Sequence, residues 1–415
     1  MADHSATTPC RATRYIRDFH CIGPDCEMPC CGGFDINLDA RDYAVLQDFT
    51  RRDPGDRRLF SAGVERLSGE EEPPARLRLD ERGMCHFYED EGWCRVHRRH
   101  GERALPGHCA HYPRVVHRHP ATTEVSGALS CPEVVRLSLL SEGGNRLDAV
   151  RAEEVVKVPG RAHRIGRTPY ARYLIPVRAA LADAVPVTGH GLAEGLFSAA
   201  YLAARLAPFY HADCAEPQPM LGSLLARHRD PAVAETLRHR LATAEDDYRG
   251  ILLAQAALLL VRDQAPESSL GGIVSRTWEA LVAAGEPASS RGLEGVDLAI
   301  ALRERAGRVR ARLDERVETW LARWFHNTLF REPFTSLPDP FRAVQLMALR
   351  MACLRLLLYL DPILVESAEV GDSEAVATRF TILVARFARH VDHNHDLLFL
   401  LYRAAESEGL MNLDA

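Results

Sequence analysis

Nine of the eleven cysteines of this 415-residue chain fall within its first 131 residues: Cys10, Cys21, Cys26, Cys30, Cys31, Cys85, Cys94, Cys109 and Cys131. Only Cys214 and Cys353 lie later, in apolar helical surroundings that suit small core residues. A chain of this length can bury a sizeable core, so it needs no crosslink for stability alone. A disulfide framework would need an oxidising compartment. Inert core thiols would not explain the tight run CIGPDCEMPCC. Ligation of a metal by thiolates accounts for both the clustering and a reducing compartment, and it is the preferred reading.

The spacing is Cys21-x4-Cys26-x3-Cys30-Cys31, then Cys85-x8-Cys94-x14-Cys109-x21-Cys131. Close spacing in the first group lets one loop deliver several thiolates to one centre. Pro24 and Pro29 stiffen that loop and lower the entropy of ordering it. Cys85, Cys94 and Cys109 each follow a glycine-containing turn signal, so their thiols can converge from turn edges. Eight thiols can fill two four-thiolate sites, or one site with further structural or reactive thiols. Thiolates suit zinc and iron–sulfur clusters rather than magnesium or calcium, and spacing alone does not separate those two. Adjacent side chains diverge, so Cys30 and Cys31 are awkward ligands for a single ion. His86, His97, His100, His108 and His111 lie near the later cysteines and are additional candidates, each more readily explained as a surface or hydrogen-bonded histidine.

The patterning predicts two domains. Residues 1–14 read as a loose tail. In 15–150, Phe34, Ile36 and Leu38 alternate as in a short strand, and Asp39 is a candidate N-cap for a helix through Phe49. RRDPGDRR at 51–58 reads as a charged turn. RLRLDERGMCHFYEDEGWC reads as strand, turn, strand, turn. LPGHCAHYPRVV opens with a short helical turn, and the segments around Val115 and Val125 read as paired strands. Pro132 suits the first turn of a helix through Leu140. From 168 to 412 apolar helical periodicity dominates, in Leu192–Leu206, Ala232–Leu260, Val296–Phe325, Arg342–Leu360 and Glu374–Arg403. The expected fold is therefore a small cysteine-rich α+β domain followed by a larger all-α domain.

Charge narrows the partners. The net charge is -6 with 26% charged residues, which argues against a nucleic-acid partner. Lys157 is the sole lysine among 51 basic residues; a GC-rich coding sequence explains that bias without selection for anion contacts. The first twenty residues contain no apolar signal core. Val344–Leu360 is the most apolar stretch, but Arg350 and Arg355 interrupt it, and it is short against the roughly 20 residues of a bilayer span. The expectation is a buried helix, no membrane and a cytoplasmic location.

FHCIGPDCEMPCCGGFDINLDARDY resembles the opening of the flagellin lysine-N-methylase family, in which a cysteine run precedes an aromatic, a short strand and an aspartate. CHFYEDEGWCRVHRRHGERALPGHCAHYPR resembles its second block and LSCPEVVRL its third. Similar cysteine patterns occur in domains described as zinc- or iron-chelating. The resemblance covers roughly residues 15–140; it is weaker later, in WFHNTLFREPF and FARHVDHNHDLL. It places Cys21, Cys26, Cys30, Cys31, Cys85, Cys94, Cys109 and Cys131 on the family's cysteines, and Tyr112, Pro113 and Arg114 on its Tyr-Pro-Arg. His86 stands where the family carries a proline. The resemblance implies methyl transfer from S-adenosylmethionine to lysines of flagellin or a similar protein, with an iron–sulfur cluster present (4Fe-4S, with zinc as the alternative).

The residues themselves do not show that activity. There is no glycine-rich strand-to-helix fingerprint of a dinucleotide-type site, and the Cys-x3-Cys-x2-Cys spacing of radical enzymes is absent. Methylation of a lysine needs no radical: a neutral amine can attack a sulfonium methyl in line, once desolvated and stripped of a proton whose ordinary pKa is about 10.4. Tyr112 and Arg114 are candidates to line a substrate cleft, against the plainer reading that Tyr-Pro-Arg locks a turn. His393 and Asn394 are the candidates in the helical domain, against the plainer reading of a helix-break cap. The alternative function is a non-catalytic zinc-, iron- or redox-binding module joined to a helical partner-docking domain; an oxidoreductase using the cluster for electron transfer is a third.

Overall fold

The computed structural model describes residues 9–67, 75–157, 162–165, 173–187, 191–211, 218–243, 249–264, 269–283, 296–311, 313, 315–332, 339–407 and 409. The chain divides into two compact units, one of residues 1–137 and 146–164, the other of 138–145 and 165–415. The described residues are mostly helical, and the sheets among them lie in the N-terminal half.

The first unit holds two small sheets. The larger has the order β7-β1-β6-β5-β8. It comprises β1 (Cys10–Thr13), β5 (Arg114–Arg118), β6 (Thr123–Gly127), β7 (Leu147–Val150) and β8 (His163–Arg164). β5 and β6 form the hairpin that the sequence pattern predicts, with Val116 opposite Val125, both fully buried. Cys10–Thr13, read above as part of a tail, is instead an internal strand, parallel to β6 and antiparallel to β7. The pairing joins residues more than 100 positions apart, which a local pattern does not reveal. Tyr15 in the short helix α1 (Arg14–Arg17) is buried, and its hydroxyl accepts a hydrogen bond from the Gly127 backbone N–H at 2.8 Å.

The smaller sheet has the order β2-β4-β3, made by Asn37–Leu38, Ala75–Leu77 and Val64–Arg66. Its core joins Leu38, Leu46, Leu77, Phe87 and Val96, with Cys31, Cys94 and Cys109 packed at its margin. Two helices close over it. Asp39 caps α2 (Ala40–Thr50) by accepting from the Asp42 N–H. Segment 51–58 is not a turn throughout: Pro54 begins α3 (Pro54–Gly63), and Asp53 caps it through the N–H groups of Gly55 and Asp56. The Asp-Pro pair carries both a cap and a first-turn proline, and it outweighs the charge density that suggested a turn. Beyond β4 the predicted second strand shrinks to isolated bridges, Leu79 with Cys85 and Tyr88 with Cys94. α4 (Arg95–His100), α5 (Gly107–His111), α6 (Pro132–Val135), which continues as a π-helix through Leu140, and α7 (Ala152–Val155) complete the helices up to residue 164.

In the second unit the described elements are helices. α8 is Leu174–Asp183, α9 Leu192–His211, α10 Gln218–His228, α11 Pro231–Thr243, α12 Arg249–Gln264 and α13 Ser269–Ala283. α14 (Val296–Arg310), α15 (Glu315–Arg331), α16 (Pro340–Leu360), α17 (Pro362–Glu369), α18 (Ser373–Phe387) and α19 (His395–Ser407) follow. Ala232–Leu260 therefore spans parts of two helices, and Val296–Phe325 likewise. A five-residue π-helix, Ala388–Asp392, follows α18. Cys214 lies outside the described residues.

α16 packs against α9, α12, α13 and α14 as the central helix of this unit. Its length and composition would allow a membrane crossing, but 78% of that window is buried inside the protein. Arg350, the interruption noted in the sequence, is 1% exposed. Its guanidinium bonds Glu332 at 2.7 and 3.0 Å and Asp392 at 2.5 Å, which supplies the counter-charge that a buried cation requires. Cys353 is buried beside it on the same helix.

Candidate functional site

Three stretches of the first unit bring the cysteines together. The first loop turns at Gly23–Asp25 and carries Cys21 and Cys26 at its two ends. Gly23 has φ of 57°, and a Cβ there would stand 2.6 Å from the Trp93 ring. Gly92 has φ of 83°, and a Cβ there would meet the Pro24 Cα at 2.8 Å. Two glycines thus allow the 21–26 loop to press directly onto the hairpin that carries Cys94. Cys30 and Cys31 lie on a segment paired with the second stretch: the Cys85 N–H donates to the Cys31 carbonyl at 2.8 Å, and that of Gly33 to the Gly83 carbonyl at 3.2 Å. Asp80 fixes the turn before Cys85 through the N–H groups of Arg82 and Met84. Cys94 is the N-cap residue of α4, and Cys131 that of α6.

Cys109 sits in α5, anchored to α2 where the Gly107 N–H donates to Asp42 at 2.8 Å. The next residue that links stretches is Tyr112. Its hydroxyl is 3.1 Å from Ser130 Oγ, tying the Cys109 segment to the residue before Cys131, and its ring lies 6.1 Å from Phe34. The Tyr112–Pro113 peptide is cis.

The sulfurs share one electrostatic neighbourhood that includes Cys30 and Cys94. The charge of Cys30 acts on Cys21, Cys26, Cys31, Cys85, Cys109 and Cys131. The Cys31 side chain hydrogen-bonds both Cys30 and Cys94, and those bonds together with burial raise its thiol far above the ordinary range. Burial pushes Cys85 and Cys131 up to about 12 and raises Cys21, Cys26 and Cys109 as well. Cys94 moves the other way, to about 7, because Cys31 donates to it and the N–H groups of His97 and Val96 at the start of α4 aim at its sulfur.

A backbone pattern recurs among these thiols. The N–H two residues further on serves Cys21 (Gly23), Cys26 (Met28), Cys85 (Phe87), Cys94 (Val96) and Cys131 (Glu133). A neutral thiol is a weak acceptor, so five oriented N–H groups favour anionic sulfur. All eight cysteines are free thiols in this structure. The donor chemistry fits a thiolate-ligated metal. Among the described residues, however, no three His, Cys, Asp or Glu side chains already stand together closely enough to hold an ion.

The other sequence candidates are dispersed. Arg114 is 10% exposed, lies 3.7 Å from Glu102 and sits over the Phe19 ring; burial lowers its guanidinium pKa. His100 contacts Asp56 at 3.3 Å, and His97 packs edge-on against Trp93. His393 and Asn394 belong to the second unit and are both exposed; Asn394 caps α19 by accepting from the Leu397 N–H at 3.0 Å.

Two supporting groups escape a sequence reading. Asp56 is 4% exposed at the side chain and takes Arg95 at 2.6 Å, Arg99 at 3.0 Å and His100, which locks α3 onto the helix that begins at Cys94. Arg136 joins Glu27, beside Cys26, to Glu133, beside Cys131. Glu133 and Arg136 stand three apart at a helix start, so that half was legible; the link to Glu27, 109 residues away, was not.

No protein-family model matches the chain, and no solved structure matches it significantly. Curated relatives do. It is 30% identical over 138 residues to a lysine-N-methylase of Salmonella typhimurium, covering 32% of each chain. It is 29% identical over 124 residues to the flagellar biosynthetic protein FliU of Salmonella muenchen, covering 29% of this chain and 70% of that protein. A lysine-N-methylase of Salmonella choleraesuis matches at 29% over 126 residues. The matched segment thus spans about a third of the length of either lysine-N-methylase. On that shared segment the chain is similar to lysine-N-methylases and to a flagellar biosynthetic protein, the relatives expected from the resemblance read in the sequence.

Proposed function

We propose that the protein is a lysine N-methyltransferase acting on flagellin or a similar protein in the cytoplasm, with a cysteine-ligated iron–sulfur cluster in its first unit. One observation supports this best: cysteines more than 100 positions apart gather around Cys30 with backbone N–H groups turned toward their sulfurs. Relatives named lysine-N-methylase and flagellar biosynthetic protein support the reaction and the substrate class.

In this reading Cys21, Cys26, Cys30, Cys31, Cys85, Cys94, Cys109 and Cys131 are the pool from which ligands are drawn. Zinc and an iron–sulfur cluster each take four thiolates, so the thiols fit either, and the family resemblance is what favours the cluster. The N–H···S bonds lower the charge density on sulfur and tune such a centre. S-adenosylmethionine supplies the methyl group when bound. Tyr112 acts by position, since its hydroxyl is engaged with Ser130 and joins two cysteine segments. Arg114 is a desolvated cation suited to a carboxylate. His393 and Asn394 shape the exposed turn ahead of α19.

Anaerobic purification followed by visible absorption and metal analysis tests the centre. Incubation with labelled S-adenosylmethionine and flagellin tests the reaction. Broad visible absorption with iron and sulfide, and label on flagellin lysines, are expected. An intact cluster with no transfer under reducing conditions would overturn the enzymatic reading and favour the non-catalytic module.

A further inference from the structure

Arg114, the first residue of β5, is a buried cation that the rest of the chain leaves short of hydrogen bonds. Its side chain is 10% exposed. Its buried Nε has no hydrogen-bond partner among the described residues. Glu102 stands 3.7 Å away, Oε1 to Nη1, which is beyond hydrogen-bond reach. The other Glu102 oxygen, Oε2, holds Lys157 at 3.2 Å, and the Glu102 side chain is 40% exposed. Gly127, opposite Arg114 across the β5–β6 hairpin, has no side chain to offer. The Phe19 ring centroid lies 5.6 Å from the guanidinium carbon.

A structural arginine in this protein looks different. Asp361 holds Arg379 through two bonds of 2.9 and 2.6 Å. Glu332 holds Arg350 through bonds of 2.7 and 3.0 Å. Arg114 has no such fork of short bonds, and burial lowers its guanidinium pKa more than Glu102 raises it. A desolvated guanidinium without bonded acceptors costs free energy, which a ligand oxyanion would recover. Phe19 stands two residues before Cys21 and Arg114 five after Cys109, so the thiol-bearing segments also carry this cation and its ring neighbour.

We propose that Arg114, Glu102 and Phe19 form the subsite for the α-amino-acid headgroup of S-adenosylmethionine, an inference that rests on the methyltransferase reading above. A guanidinium fork takes a carboxylate through paired N–H···O bonds. A phosphate dianion there would be repelled by Glu102. A lone carboxylate would also stand beside Glu102, and an ammonium on the same ligand relieves that contact by bonding Glu102 Oε1. A zwitterionic headgroup carries both groups on one carbon. The Phe19 ring shields one side of the guanidinium from water, which strengthens a charge-assisted bond formed there.

The test is calorimetric titration of the full chain, purified anaerobically. The ligands are S-adenosylhomocysteine, which carries the headgroup, methylthioadenosine, which lacks it, and methionine, which has no nucleoside. Wild type should bind S-adenosylhomocysteine at least tenfold more tightly than either of the others. Arg114→Gln should weaken S-adenosylhomocysteine about tenfold and leave methylthioadenosine unchanged, and Glu102→Gln should do the same to a smaller degree. Arg114→Lys keeps the charge without the fork, so it should show the same selective loss even where the glutamine variant does not fold. Equal S-adenosylhomocysteine affinity in wild type and the Arg114 variants overturns the subsite and leaves the methyl donor standing. Equal weakening of both nucleosides marks a structural arginine and also overturns it. Methionine bound as tightly as S-adenosylhomocysteine overturns the donor assignment in favour of a free amino acid. Failure of wild type to bind either nucleoside overturns the methyltransferase reading, and the subsite with it.

Discussion

Arg350 on α16 and Asp392 on the π-helix after α18 form an ion pair 42 residues apart, with each side chain 1% exposed. Arg331 joins Asp392 from α15 at 2.7 Å, and Glu332 completes the group. Three helical segments are thus stitched together by charge inside an apolar core. Removing Asp392 leaves two buried arginines with the partly exposed Glu332 to share. Asp392→Asn should destabilise the protein by about 3–5 kcal/mol, read by urea unfolding. A loss under 1 kcal/mol would show that the pair is dispensable.

The same carboxylate makes stability depend on pH. Burial alone would raise the Asp392 pKa, but Arg350 and Arg331 outweigh it and hold it below its ordinary value. A depressed folded-state pKa gives stability that is full above the unfolded value of about 3.9 and is lost as pH falls through the folded value. The gap in stability between wild type and Asp392→Asn should therefore be constant from pH 7 to pH 5 and shrink below about pH 4. A gap that persists unchanged at pH 2 would contradict this.

Serine at position 94 separates sulfur chemistry from helix capping. It keeps the size of cysteine and is itself a good N-cap, so Cys94→Ser should leave α4 intact. On the proposed cluster, metal and sulfide content should nevertheless fall by half or more. Cys10→Ser, in β1 and outside the group around Cys30, should retain wild-type content. Equal content in both variants would remove Cys94 from the ligand pool.

Asp53→Ala deletes the cap of α3, whose Asp56 holds the helix beginning at Cys94. The expected loss is about 1 kcal/mol, with faster amide exchange at Gly55 and Asp56. Unchanged exchange at those two N–H groups would show that the cap carries no weight.

Several local signals in the sequence were sufficient for the local structure. Asp39 and Asn394 cap helices as short polar residues at such boundaries do, Val115–Val116 and Val125 pair across a hairpin, and the periodic segments after 190 are helices. Segment 51–58 carried its own cap and first-turn proline, which the charge density obscured, whereas other features depend on partners far along the chain. Cys10–Thr13 is a strand only because β6 and β7, far along the chain, lie on either side of it. Arg350 interrupts an apolar run yet is buried, because Asp392 and Glu332 reach it from other helices.

Cysteine identity and spacing determined that a thiolate-rich centre was possible, since that chemistry depends on which side chains are present. Only the folded chain decided that Cys30 and Cys94 both act on thiols from remote segments, that the Cys94 thiol is held below its ordinary value, and that Tyr112 ties two cysteine segments together. Those properties arise from distances between parts of the chain remote in sequence. Electrostatic interaction and hydrogen bonding depend on separation in space, and a linear string of residues does not carry it.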